Sequence, residues 1–392
     1  MHRHHRWLTP ILLAAACGKP SNTASVTPGD PDVAVAPAGA PADPTRPATL
    51  AEAEAALAAS EPARAVALFS GVLAQNPDPA TAKQAYPGLA RAHELLGDCA
   101  AAVRAYDELI TRFTADAGAD VYANRGACQA ELGQWQPSAA DFGKAFEKAT
   151  VPTTQVEYLA RQGYALFELG QFKEADPLLA KADQIFLAAQ EQAKERFTTF
   201  YFVGMARFYR AAIHHRAFRD VEIRPAEKTM AEDFARKFAL LEQAQTGYDY
   251  TIKAKHVFWV SAAGFQMGTL FEEFYDAVMH APVPEWLDDN QRRVYYEELK
   301  NQLRPVVNKA IWVLEKNLET SRKLGYDSPF IAQTETKLSD LQAILLAGDT
   351  TLGKPHPRLA PETRPEFARA GEDSGEPAPV DRKLFVPEPT PL

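Results

Sequence analysis

The chain has 392 residues, 46% of them hydrophobic, and a formal charge of -9. That is enough apolar material to bury a large core without a metal or cofactor to hold it together, so none is expected. Acidic groups are in excess and Lys and Arg form no cluster, which excludes phosphate neutralisation as a binding principle and argues against a nucleic-acid partner.

Met1 to Arg6 is short and basic, and a brief apolar stretch, Trp7 to Ala16, ends in small residues. Residues 1–16 therefore read as a secretory signal, too short to span a bilayer as a stable helix. His2, His4 and His5 would leave with it, so no metal site is expected there. The stretch Leu13-Ala14-Ala15-Ala16-Cys17-Gly18 resembles a bacterial lipobox. The resemblance implies cleavage before Cys17 and lipid on that cysteine, although Ala14 stands where leucine is commoner. The alternative is an ordinary signal cleaved near Ala16, with Cys17 a free thiol. Several acyl chains would hold the protein firmly to a membrane. Gly18 rather than Asp after the cysteine resembles the outer-membrane sorting pattern of enteric bacteria, which implies an outer-membrane lipoprotein facing the periplasm. Residues 17–45 are Pro- and Ala-rich with almost no large apolar side chain, and they read as a disordered tether.

Residues 46–187 carry an internal repeat. Leu96-Gly97-Asp98, Leu132-Gly133-Gln134 and Leu169-Gly170-Gln171 each close one apolar run and open another. Four units align at a spacing of about 36–37 residues. The first has its turn at Ser60-Glu61-Pro62 and carries Ala65, Phe69 and Val72. The second helices of the next three carry Ala102, Tyr106 and Leu109, then Ser138, Phe142 and Ala145, then Ala175, Leu179 and Ala182. Gly97, Gly133 and Gly170 are placed to stop each first helix in a left-handed backbone, cheap only for glycine. Small residues at Ala90, Gly126 and Gly163 let paired helices close, with the aromatic near the start of each second helix expected to fill the space beside them.

On these residues the chain resembles tetratricopeptide-repeat proteins over about a third of its length. The resemblance implies an all-α fold: a right-handed solenoid of the tetratricopeptide (TPR) type, followed here by a diverged C-terminal helical half. Its inner face would show Arg91, Glu94, Asn124, Tyr164 and Phe167. These either line a groove for an extended or helical peptide or are ordinary solvated positions. The basic-and-Asn set with which some family members clamp a terminal carboxylate is missing, since Ala127 and Ala130 fill much of that face. Cys99 and Cys128 fall on neighbouring helices. They are either a disulfide, which an oxidising envelope would allow, or two buried thiols.

Residues 188–347 keep helical spacing but lose the glycine turns, and read as diverged repeats or a capping bundle. An aromatic-rich helical pattern runs from Ile185 to about Ala217, with Phe197, Phe200, Tyr201, Phe208 and Tyr209 as core. Arg224-Pro225 breaks the chain before a helix over about 226–246. Phe258 to Tyr275 reads as an aromatic hairpin stopped by Ala281-Pro282-Val283-Pro284. Asp288 or Asp289 caps the next helix, expected to end before Pro305, which opens another. Leu338, Leu341 and Leu345 suggest a short last one. The region around Ala281 loosely resembles TPR lipoproteins of myxobacterial envelopes, including gliding-motility components. Residues 348–392 are a Pro- and acid-rich tail with one apolar cluster, Leu384-Phe385-Val386.

No catalytic constellation is visible. His93-Glu94 opens like a zinc-protease helix, but Gly97 stands where the second histidine belongs. His214 and His215 are adjacent and point to different helix sides, as do Glu272 and Glu273. There is no phosphate-cradling loop and no nucleophile elbow. The expected function is a membrane-anchored scaffold that binds proteins in an envelope complex, with no small-molecule substrate. The alternative is a peptidoglycan- or glycan-binding factor using the aromatic second half as a carbohydrate platform.

Overall fold

The computed structural model describes residues 47–192, 196–224, 227–283, 285–326 and 329–347. Cys17, the tether and the tail with Leu384-Phe385-Val386 lie outside the described residues. The compact unit, Pro47–Leu392, is all-α: the described residues contain thirteen α-helices and no strand.

The first four hairpins are α1 (Leu50–Ala58) with α2 (Pro62–Ala74), α3 (Pro79–Leu95) with α4 (Cys99–Arg112), α5 (Ala119–Glu131) with α6 (Trp135–Lys148), and α7 (Pro152–Glu168) with α8 (Phe172–Glu191). Their starts are written locally. Thr49 and Glu52 form a capping box on α1, Asp78 accepts from the Ala80 and Thr81 amides, and Pro62, Pro79 and Pro152 occupy first-turn positions where no amide hydrogen is needed.

Their internal turns are as expected. Gly97, Gly133 and Gly170 sit at φ +72, +69 and +73. Each donates to a carbonyl three residues back, and the next residue donates five back, as in Asp98 N to His93 O at 2.9 Å and Gln134 N to Gln129 O at 2.8 Å. This satisfies carbonyls that a helix end otherwise leaves open. The first turn makes the same pair of bonds with Ser60, at φ 58, in glycine's place. Between paired helices, Gly163 is required by close approach: a Cβ there would stand 2.5 Å from the buried Leu179 side chain.

The same stacking continues through α9 (Tyr201–Asp220), α10 (Glu227–Ile252), α11 (Val257–Met279), α12 (Asp289–Leu324) and α13 (Pro329–Ala347). Each second helix packs on the first helix of the next hairpin. First helices also pack on one another, α1 on α3, α7 on α9, α9 on α11 and α11 on α13. The hairpin packing of the first half thus continues through the second, and the chain is the all-α solenoid that the resemblance implies. Its core lies in three successive clusters, the first around Phe69, the second around Tyr106 and Phe142, and the largest running from Ala139 to Leu341.

Several boundaries differ from the sequence expectation. The run from Ile185 to Ala217 is two helices: α8 ends at Glu191, and α9 starts at Tyr201, whose amide is taken by the Thr199 hydroxyl. Phe258 to Tyr275 is one helix rather than a hairpin. Its Gly264 and Gly268 keep helical backbone and serve contact, standing against Asn317 and Leu314 of α12. α12 runs through Pro305 for 36 residues, capped by Asp288. Pro305 and Asn301 are both exposed, so the carbonyl that proline leaves without a donor stays open to solvent. α10 and α13 are also longer than expected, because their apolar positions continue to find partners at Tyr248 and at Phe330.

Candidate interaction surfaces

The five expected groove residues fall into two groups. Around the Tyr106 hydroxyl the fold brings together Arg91, Glu94 and Asn124. Tyr106 donates to Glu94 at 2.8 Å, Arg91 Nη1 donates to the other carboxylate oxygen at 3.0 Å, and Asn124 hydrogen-bonds Tyr106. Burial pushes the Glu94 carboxyl above its ordinary pKa, with the bonds from Tyr106 and Arg91 pulling it back. Tyr164 and Phe167 belong to an aromatic cluster with Tyr209, at ring separations of 4.6 and 5.1 Å, and Trp135 meets Tyr164 edge-on. Glu94 and Tyr164 are buried. This corrects their assignment to an open groove: Glu94 turns to Tyr106 on α4, and Tyr164 packs between Trp135 on α6 and Tyr209 on α9. Arg91, Asn124 and Phe167 are half-buried and keep part of their surface accessible.

Cys99 and Cys128 are buried free thiols in this structure. They are neighbours, as expected. The Cys99 thiol donates to Glu131 Oε2 at 3.0 Å, and a hydrogen bond to Cys99, with burial, pushes the Cys128 thiol up.

Three polar networks escaped the sequence reading. Arg125 joins three helices, forking onto Asp141 at 2.6 and 2.8 Å and reaching Asp107 at 2.7 Å. On α9, Arg207 donates to Asp183 at 2.7 Å and to the Tyr250 hydroxyl at 3.0 Å, while Tyr250 donates to Asp183 at 2.9 Å. One turn-pair further, His215 lies between the Tyr248 hydroxyl and Glu273, 3.0 Å from each, and Arg219 forks onto Glu273 at 2.8 Å. With Nε2–H donating to Glu273 and Nδ1 accepting from Tyr248, a neutral imidazole satisfies every group. Burial pushes His215 down, whereas His215 and Arg219 hold Glu273 down at about 2 against its own burial. Tyr248, His215 and Glu273 have the order of a catalytic relay, but Tyr248 and His215 are buried. The partners in the two α9 networks lie 24 to 67 residues apart, so no local spacing announced them. The adjacent pairs were readable: His214 and His215 face different surroundings, and Glu272 pairs with Lys337 while Glu273 turns to His215.

Most of the second-half aromatics singled out in the sequence are core. Phe197, Phe208, Tyr209, Phe258, Trp259, Phe265, Phe271, Phe274 and Tyr275 are all buried. The same half also exposes Trp286, Trp312, Phe234, Phe238 and Tyr295. A surface pocket of about 480 Å³ lies between α9 and α10, with Arg207, Arg210 and His214 on one wall and Glu242, Gln243 and Thr246 on the other. Among the described residues no group of His, Cys, Asp and Glu is arranged to hold a metal, and no helix is long and apolar enough to cross a membrane.

No family model and no curated protein matches the chain. Among solved structures it is similar to the C-terminal part of a TPR repeat-containing protein from Cytophaga hutchinsonii, at 12% identity and a TM-score of 0.41, over 75% of this chain and 95% of that one. It is also similar to a tetratricopeptide repeat protein from Parabacteroides merdae, at 13% identity and a TM-score of 0.34 over 74% and 97%. A TPR repeats protein from Bacteroides fragilis follows at 14% identity and 0.31 over 67% and 98%. The repeat shows in this chain's own turns and packing.

Proposed function

We propose that the protein is a scaffold that holds other proteins along its stacked helices, anchored to the bacterial outer membrane through lipid on Cys17 and facing the periplasm. One observation carries the scaffold reading: hairpin stacking continues from Leu50 to Ala347. Successive hairpins generate a long side-chain surface of the sort that repeat proteins use for binding, and no chemical step is required of it. The anchoring and the envelope setting are supported by the signal-like first sixteen residues and the lipobox-like stretch before Cys17. Affinity would come from polar and apolar contacts spread over several repeats, which includes the accessible parts of Arg91, Asn124 and Phe167.

The test is crosslinking in intact cells, with the full chain recovered from detergent-solubilised membranes and its attached proteins identified by mass spectrometry. Discrete proteins crosslinked to the helical unit are the expected result. A chain that recovers no protein, yet is retained by purified cell wall, overturns the scaffold reading. Cys17→Ala is expected to move the protein from the membrane to the soluble fraction; unchanged membrane association would sink the lipid anchor alone.

A further inference from the structure

The pocket between α9 and α10 has a charge balance that selects its ligand. Two arginines point towards it, and both are already neutralised. Arg207 is held by Asp183 and stacked on the Tyr250 ring at 3.9 Å, while Arg210 donates to Asp176 at 2.8 Å. Across the pocket Glu242 is exposed and has no ionic partner among the described residues. His214 is half-buried, and loss of solvent pushes its pKa down, so the ring is uncharged near neutral pH and its unprotonated nitrogen is an acceptor. Gln243 and Thr246 add oxygen acceptors on the α10 wall. With Asp176, Asp183 and Glu242 against Arg207 and Arg210, one negative charge is left over, beside neutral acceptors. An anion would meet Glu242 unscreened, whereas a cation would complete the balance.

We infer that this pocket receives a basic side chain, the ammonium of a lysine or the guanidinium of an arginine, from a protein partner. The volume of about 480 Å³ lies within the range of ordinary ligand sites and takes such a side chain together with the backbone around it. Glu242 supplies the counter-charge, and the His214 ring nitrogen, Gln243 and Thr246 accept the remaining N–H groups. Asp183, Arg207 and Tyr250, all lining the pocket, are hydrogen-bonded to one another, which holds that side of the cavity in place. The net charge of -9 steers a basic partner towards the molecule without deciding where it docks. The inference deepens the scaffold reading and rests on it, because it names the chemistry of one contact on that surface.

The experiment uses the full chain in detergent and measures fluorescence anisotropy of short labelled oligolysine, oligoarginine and oligoglutamate peptides. The basic peptides are expected to bind and oligoglutamate is not. Glu242→Lys is expected to weaken the basic peptides by about tenfold or more, as loss of a close charge pair does. Thr246→Trp, which fills the pocket without changing charge, is expected to weaken them as well. Glu232→Lys makes the same charge change at an exposed position of α10 outside the pocket, and it is expected to leave binding within about twofold. Equal loss in Glu232→Lys and Glu242→Lys, or no binding by the basic peptides, overturns the pocket assignment. In cells the two readings separate: a Glu242→Lys protein that keeps every crosslinked partner removes the pocket and leaves the scaffold, whereas a wild-type protein without partners removes the scaffold itself.

Discussion

Ser60 holds in the first turn the left-handed backbone that Gly97, Gly133 and Gly170 hold in the next three. A side chain in that conformation costs about 1–2 kcal/mol. Ser60→Gly is therefore expected to stabilise the protein by about 1 kcal/mol, and Gly133→Val to destabilise it by about 1–2 kcal/mol, both read from urea unfolding. His256 illustrates a different cost. It is buried at the start of α11, both ring nitrogens are without a hydrogen-bond partner, and burial pushes its pKa down to about 4. The unfolded chain takes up a proton near pH 6.5 that the folded state refuses until about pH 4. Stability is thus fully present above about 6.5 and is lost as pH falls towards 4, by on the order of 3 kcal/mol. His256→Leu is expected to remove that part of the pH dependence when unfolding free energy is measured across the interval; parallel curves for the two proteins would refute the assignment.

Among the elements, the first four hairpins were legible because each chain reversal is paid in a residue type that has few other uses. A leucine, a left-handed glycine and a polar residue mark the turn in the second to fourth hairpins, Ser60-Glu61-Pro62 marks the first, and the small residue at Gly163 marks the contact with Leu179. In the second half glycine changes its meaning. Gly264 and Gly268 lie inside α11 and admit α12, so the aromatic run expected as a hairpin is one helix packed on another. Pro305 misled in the same way, since proline on an exposed face interrupts one hydrogen bond without ending the helix. The expected groove was half legible: Arg91, Glu94 and Asn124 do converge, but on Tyr106 of the following helix, which helical periodicity alone does not reveal. Glu273 of α11 holds both His215 and Arg219 of α9, and His215 in turn meets Tyr248 of α10. Glu273→Gln leaves the Arg219 charge without its partner. It is expected to destabilise the protein by about 3–5 kcal/mol in denaturant unfolding; a change below about 1 kcal/mol would show the network to be dispensable.

For the whole molecule, the uneven core predicts uneven opening. The cluster around Phe69 is small and alanine-rich, whereas the cluster from Ala139 to Leu341 joins most of the aromatic side chains. In a linear stack each hairpin is supported only by its neighbours. Native-state hydrogen exchange is therefore expected to be fastest in α1 and α2 and slowest in α8, α9 and α11; uniform protection along the chain would contradict this picture. The recurrence of the left-handed glycines after 36 and then 37 residues has a last consequence, for how such a molecule changes through descent. Length comes in whole hairpins, so duplicating or excising one leaves every surviving helix with a neighbour of the same kind, and the reach of the protein can be reset in a single genetic event while its architecture is kept.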